Sequence, residues 1–88
     1  MAVSLAERTA QLTAEQNVLV KADQDIQEGW QRIRNQEDRM RELMASGHDT
    51  GQAERLVELL RQTLIEWERH RVLIVQRIEY LRLEVAAG

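Results

Sequence analysis

The sequence predicts an all-α fold, a two-helix antiparallel hairpin of the coiled-coil type. Three observations carry this prediction. Helix-breaking residues cluster in the octapeptide Ala45-Ser46-Gly47-His48-Asp49-Thr50-Gly51-Gln52, which divides the 88 residues into two nearly equal halves. Both halves carry apolar residues at helical spacing. The chain contains no Pro, so no ring removes a backbone donor outside the hinge.

The first helix is expected over about residues 5–46. Ser4 followed by Glu7 is a capping-box pattern, with Ser4 as N-cap and Glu7 reaching back to it. Leu5, Leu12, Leu19, Ile26, Ile33 and Met40 then recur every seven positions. Such a repeat keeps one line of contacts against a supercoiling partner. The companion seam positions are Thr9, Gln16, Asp23, Trp30, Glu37 and Met44, and four of these six are polar. The apolar edge is therefore narrow, widened locally by Val18, Ala22 and Leu43. Gly29 lies mid-helix, at a cost of about 1 kcal/mol relative to Ala. Beside Trp30, it makes room for a large ring or a close helix.

The turn is expected at residues 47–50. Gly47 suits the left-handed position that ends a helix. Asp49 or Thr50 caps the next one, and Asp49 with Gln52 approximates a second capping box. Glu54 follows in the first turn, where a carboxylate complements the helix dipole.

The second helix is expected over about residues 51–85. Its main stripe is Ala53, Leu56, Val57, Leu60, Leu64, Trp67, Ile74, Ile78, Leu81 and Val85, interrupted by Thr63 and Arg71. A second apolar group lies nearly opposite on the helical wheel: Ile65, Val72, Leu73, Tyr80 and Leu83. One partner helix cannot cover both faces, and a helix apolar on two sides is normally buried on two sides.

Folding the chain about its hinge sets Met44 against Ala53, Met40 against Val57 and Ile33 against Leu64. It also sets Trp30 against Trp67, Leu19 against Ile78 and Leu12 against Val85. Apolar meets apolar at each of these levels. The same register brings Asp23 within one turn of Arg71, a polar pair of the kind that fixes register more than it adds stability.

Residues 1–88 thus form one helical-hairpin domain. Two helices of roughly 50–60 Å, at about 1.5 Å per residue, enclose too little interior to stand alone. Dimerisation into a four-helix bundle, with twofold symmetry, is the expected remedy. The assembly residues predicted on this basis are Ile65, Val72, Leu73, Tyr80 and Leu83, with Trp30 and Trp67 in the seam and Asp23 and Arg71 as the polar register pair.

Composition narrows the function. The net charge is −3, and both halves mix signs: six basic and eight acidic residues in 1–46, six and seven in 47–88. Neither half is a basic arm that would draw the chain to nucleic acid or anionic lipid. Eleven of the twelve basic residues are Arg. The absence of Cys excludes a disulfide framework, a thiolate metal site and a cysteine nucleophile. The N-terminal stretch lacks the basic and apolar regions of a secretory signal. No apolar run approaches the ~18 residues of a membrane span. A cytoplasmic protein without cofactor is expected.

Four groups of residues are candidates for chemistry. His48 and Asp49 share the hinge, but Gly47, Asp49 and Thr50 are what a helix–turn–helix connection requires, which leaves His48 as an exposed side chain. His70, at the stripe edge beside Glu66 and Arg71, reads as an interfacial histidine rather than a ligand or pH-sensitive group. A bundle metal centre needs Glu-x-x-His pairs, and the residues three before the two histidines are Trp67 and Ala45. Trp30 and Trp67 read as packing rather than as a clamp for a planar ligand. Arg32, Arg34, Arg39 and Arg41, with Arg55 and Arg61 near the same end, form a basic segment. Glu37, Asp38, Glu42, Glu54 and Glu58 interleave with it, as on a solvated, ion-paired face. No Gly-rich phosphate loop and no Ser/His/Asp geometry is present.

Over about the last half of the chain, the turn Gly47-His48-Asp49-Thr50, the start Ala53-Glu54 and the later pair His70-Arg71 stand out. This pattern resembles a group of short, mostly uncharacterised alphaproteobacterial helical proteins with a G-H-D-T turn. The resemblance implies a helical fold and no activity. The hairpin outline is also similar to Rop, the plasmid-encoded RNA-binding bundle, in architecture alone. The expected function is that of a non-enzymatic interaction or scaffold module acting through self-association, with a further copy of itself or another protein as partner. The alternative is a small nucleic-acid-associated regulator using the Arg-rich hinge end.

Overall fold

The computed structural model describes residues 4–88. They form two helices, α1 (Leu5–Ala45) and α2 (Gly51–Ala87), joined by a five-residue turn. The helices run antiparallel side by side as a rod of 66 × 15 × 15 Å. Its radius of gyration is 19.7 Å. A compact domain of this length would measure about 12 Å, so the shape maximises surface rather than interior.

The ends are set by local chemistry. Ser4 sits in extended backbone, and its Oγ accepts a 3.1 Å hydrogen bond from the Glu7 N–H. This satisfies one of the free donors of the first turn. At the other end of α1, the His48 N–H reaches the Leu43 carbonyl at 2.9 Å and the Gly47 N–H reaches the Met44 carbonyl at 3.1 Å. That pair of bonds is the Schellman termination, and it requires the left-handed φ of +72° that Gly47 supplies. α2 continues through Ala86 and Ala87, which favour helix strongly, and ends at Gly88.

The start of α2 departs from a capping box. Thr50 is the N-cap but makes no side-chain cap bond; its φ and ψ of −100° and 1° lie outside the extended region that aims a cap inward. Its hydroxyl donates instead to Glu54 Oε1 at 3.0 Å. Asp49 Oδ1 accepts from the Gly51 N–H at 2.9 Å, an Asx turn, so that carboxylate serves the nearest free donor and does not pair with Gln52.

The seam between the helices is lopsided. The buried hydrophobic residues of α2 are Ala53, Val57, Leu64, Ile74, Ile78 and Leu81; α1 contributes only Ile33, with Gly29 as its other buried residue. In α2 the seam alternates steps of three and four from Ala53 to Val85 and includes Leu60, Trp67 and Arg71, an unbroken heptad pattern. In α1, Leu12, Leu19, Ile26 and Met40 are only half-buried. Their polar seam neighbours Gln16, Asp23 and Glu37 leave one side of each open.

At Gly29 the two helices pack closely. A Cβ built on it would lie 2.7 Å from Leu64 Cδ2, 3.3 Å from Leu64 Cγ and 3.5 Å from Trp67 Cζ3. The missing side chain is thus filled by two residues of α2, which is the room that a mid-helix glycine was expected to make.

Ion pairs bracket the seam. Arg8 meets Glu84 at 3.4 Å and Glu15 meets Arg77 at 3.3 Å. Each helix advances seven residues between these two pairs, so the register does not slip over that stretch. Arg61 and Glu37 add a third cross-helix pair at 3.4 Å near the hinge. All are partly exposed and contribute at most about 1 kcal/mol each; their effect is on register. No helix among the described residues is long and apolar enough to cross a membrane.

Candidate functional site

Because the α2 seam follows a strict heptad, the position of every other side chain on that helix is fixed. Ile65 and Val72 follow the first seam position by one residue. Leu73 and Tyr80 follow it by two, and Leu83 by five. These positions surround the line diametrically opposite α1. The structure leaves Ile65, Val72, Leu73, Tyr80 and Leu83 between 51% and 70% exposed. From Ile65 to Leu83 the stripe runs about 27 Å along the helix. Glu66, Arg69, Gln76 and Glu79 lie between its members.

Five large apolar side chains exposed along one side of a helix are more than the scattered single residues of an ordinary surface. Single exposed hydrophobic residues need no explanation, but a contiguous patch marks a contact surface. The polar members are already arranged: Arg69 pairs with Glu66 at 3.1 Å and Arg82 with Glu79 at 3.8 Å. They hold the charged groups along the helix axis and leave the apolar side chains uncovered.

The strip has two extensions, Leu59, which the sequence reading did not single out, and Val18, which it assigned to the apolar edge of the first helix. Leu59, 60% exposed, occupies the same heptad position as Leu73 and Tyr80, two heptads before Leu73. Glu66 stands between them, and that interruption hid the repeat. Val18 of α1 is also exposed. It lines a shallow groove with Glu15, His70, Leu73, Ile74 and Arg77, so the strip turns around one flank of the hairpin onto α1. Only a knowledge of which helix edge faces the same way reveals this.

The remaining candidates separate. Arg71 Nε donates to Asp23 Oδ1 at 2.5 Å, midway along the seam. This hydrogen bond and the charge of Asp23 raise the pKa of Arg71 above its ordinary value, so the guanidinium is held in its charged form. The two tryptophans lie at different depths. Trp67 is half-buried over Gly29. Trp30 is exposed, beside a groove lined by Gln27, Glu28, Gln31 and Arg34 of its own helix. His48 is exposed and its Nδ1 lies 3.1 Å from Ser46 Oγ, a contact internal to the turn. His70 is exposed between the groove described above and a second one lined by Ala22, Asp25 and Trp67.

The Arg-rich end is electrostatically mixed. Arg41 pairs with Asp38, and Arg34 donates to Gln31 Oε1 at 2.8 Å. Arg39 and Arg55 share a groove with Asp49. Among the described residues, no three of His, Cys, Asp and Glu are placed to hold a metal ion. No protein-family model, curated protein or solved structure matches the chain.

Proposed function

We propose that this chain is a non-enzymatic interaction module that acts by self-association, two hairpins joining through the outward face of α2. The observation that carries the reading is the strip Ile65, Val72, Leu73, Tyr80 and Leu83, each more than half exposed on one face. Burying an apolar side chain is worth about 1.5–3 kcal/mol when it starts fully exposed. Five that start half to two-thirds exposed are worth roughly 5–9 kcal/mol per chain. A symmetric contact doubles that gain. The cost of association is about 4–15 kcal/mol, of the same order as that gain.

Surface area points the same way. The chain exposes 6658 Å², whereas a compact monomer of 10.3 kDa exposes about 5,400 Å². The difference exceeds the ~800 Å² that each partner contributes to a standard interface. Light scattering on the double variant Leu73→Glu/Tyr80→Glu tests the assignment. Four carboxylates in a symmetric interface should leave a helical monomer. A variant that keeps the wild-type mass overturns the face, even if the chain self-associates elsewhere.

A further inference from the structure

Resting on the self-association reading, we infer that the occupant of the outward face is a second copy of this chain laid antiparallel, α2 against α2, in one register. In it Ile65 faces the partner's Leu83, Arg69 faces the partner's Glu79, Val72 faces the partner's Gln76 and Leu73 lies beside its own copy in the partner.

Both charge and shape select this arrangement. An antiparallel two-helix seam needs positions that recur in steps of three and four. On the outward face Ile65, Arg69, Val72, Gln76, Glu79 and Leu83 form that series. Turning the series end for end and laying it on itself places its apolar ends together and its single Arg opposite its single Glu. The flank of this seam carries Leu73, which meets its own copy beside the twofold axis, and Tyr80 about two turns further out. Ile65, Val72, Leu73 and Leu83 are thereby covered, and Tyr80 lies along the flank. Sliding by one heptad toward either end opposes Arg69 to Val72 or Glu79 to Gln76 and strands one end of the strip. A parallel pairing sets Arg69 against the partner's Arg69 and Glu79 against the partner's Glu79, where like charges oppose assembly.

The outward face lies opposite the α1 seam, so the four helices stand in a row, α1 outermost on both sides and the two α2 helices at the centre. A closed square bundle would need contact faces about a quarter turn apart. It would also leave Ile65 and Leu83 outside.

The chain has no Cys, which makes cross-linking a clean test. Wild-type mass is measured first by sedimentation. The variant Ile65→Cys/Leu83→Cys is then oxidised with copper–phenanthroline and run on a non-reducing gel. Facing seam residues come within the Cα separation that a disulfide spans, so near-complete covalent dimer is expected. Ile65→Cys alone should give little, because the register holds the two copies of residue 65 about 27 Å apart. A charge-reversal cycle supplies the second arm. Arg69→Glu and Glu79→Arg should each weaken association roughly tenfold, since two symmetric pairs change sign, and the combined variant should restore it. Efficient cross-linking by Ile65→Cys alone, or two reversals that do not compensate, overturns the register while leaving self-association standing. A wild-type monomer overturns both.

Discussion

Replacing Gly29 with Ala gives opposite signs in the packed hairpin and in an unpaired helix. In a free helix the change stabilises by about 1 kcal/mol, because Gly has the greater backbone freedom to lose. In the hairpin the new Cβ would lie 2.7 Å from Leu64 Cδ2 and 3.3 Å from Leu64 Cγ. Leu64 is only 3% exposed, so its side chain has little space into which to swing. Overpacking of this kind costs about 1–3 kcal/mol. The net expectation is destabilisation of about 1 kcal/mol, a fall of roughly 4–8 °C in Tm for a chain of this size. Thermal and urea unfolding followed by circular dichroism measure it. Protein concentration must be held fixed, because linked association shifts the midpoint. The Leu64→Ala background completes a cycle. Leu64→Ala alone costs about 2–5 kcal/mol, and adding Gly29→Ala there should stabilise by about 1 kcal/mol, since the obstructing methyl is gone. If Gly29→Ala raises Tm in the wild-type background, the close approach of α1 to α2 is refuted.

Three further expectations follow from named contacts. Asp23→Leu alone should lower Tm by leaving Arg71 without its partner in the seam, whereas Asp23→Leu/Arg71→Leu should recover or exceed the wild-type value, since a paired seam charge can be replaced by packing; a single variant as stable as wild type would show that the pair does nothing. Gly47→Ala should cost about 1 kcal/mol by calorimetry, from the left-handed backbone alone, because nothing lies within 4 Å of a Cβ there. Gly47→Asn should cost less, and equal stability of all three proteins would rule out the Schellman turn. Changing Arg32, Arg34, Arg39 and Arg41 to Ala should leave duplex and single-stranded nucleic acid binding, read by gel shift across a salt series, as weak as in wild type. Tight binding that falls steeply with salt and is lost in the variant would favour a nucleic-acid role.

The hairpin was legible because two signals agree. The seven-residue run from Leu5 to Met40 and the stripe from Ala53 to Val85 have the period of a helical seam, and Gly47 marks where the chain must reverse. The division of burial between the helices was less legible. Both carry apolar seams, yet α2 holds six of the seven buried hydrophobic residues. In α1 the polar residues Gln16, Asp23 and Glu37 occupy seam positions between the apolar ones, and Leu12, Leu19, Ile26 and Met40 are only half-buried. The hinge misled in one detail. Asp49 and Gln52 have capping-box spacing, but the Gly51 N–H is nearer to the carboxylate and takes it. The tryptophans read as one layer because the sequence register pairs them; in the structure Trp67 lies over Gly29 and Trp30 is exposed. The outward strip was visible from Ile65 to Leu83, while Leu59 and Val18 became apparent only once the flank shared by the two helices was known.

These particulars converge on the outward face of α2, which a single hairpin cannot cover. Sedimentation equilibrium of the unmodified chain over a micromolar concentration series is the most direct test of that claim. The expected result is one species of twice the 10.3 kDa chain mass, dissociating only on dilution. A mass of 10.3 kDa throughout the series would contradict it.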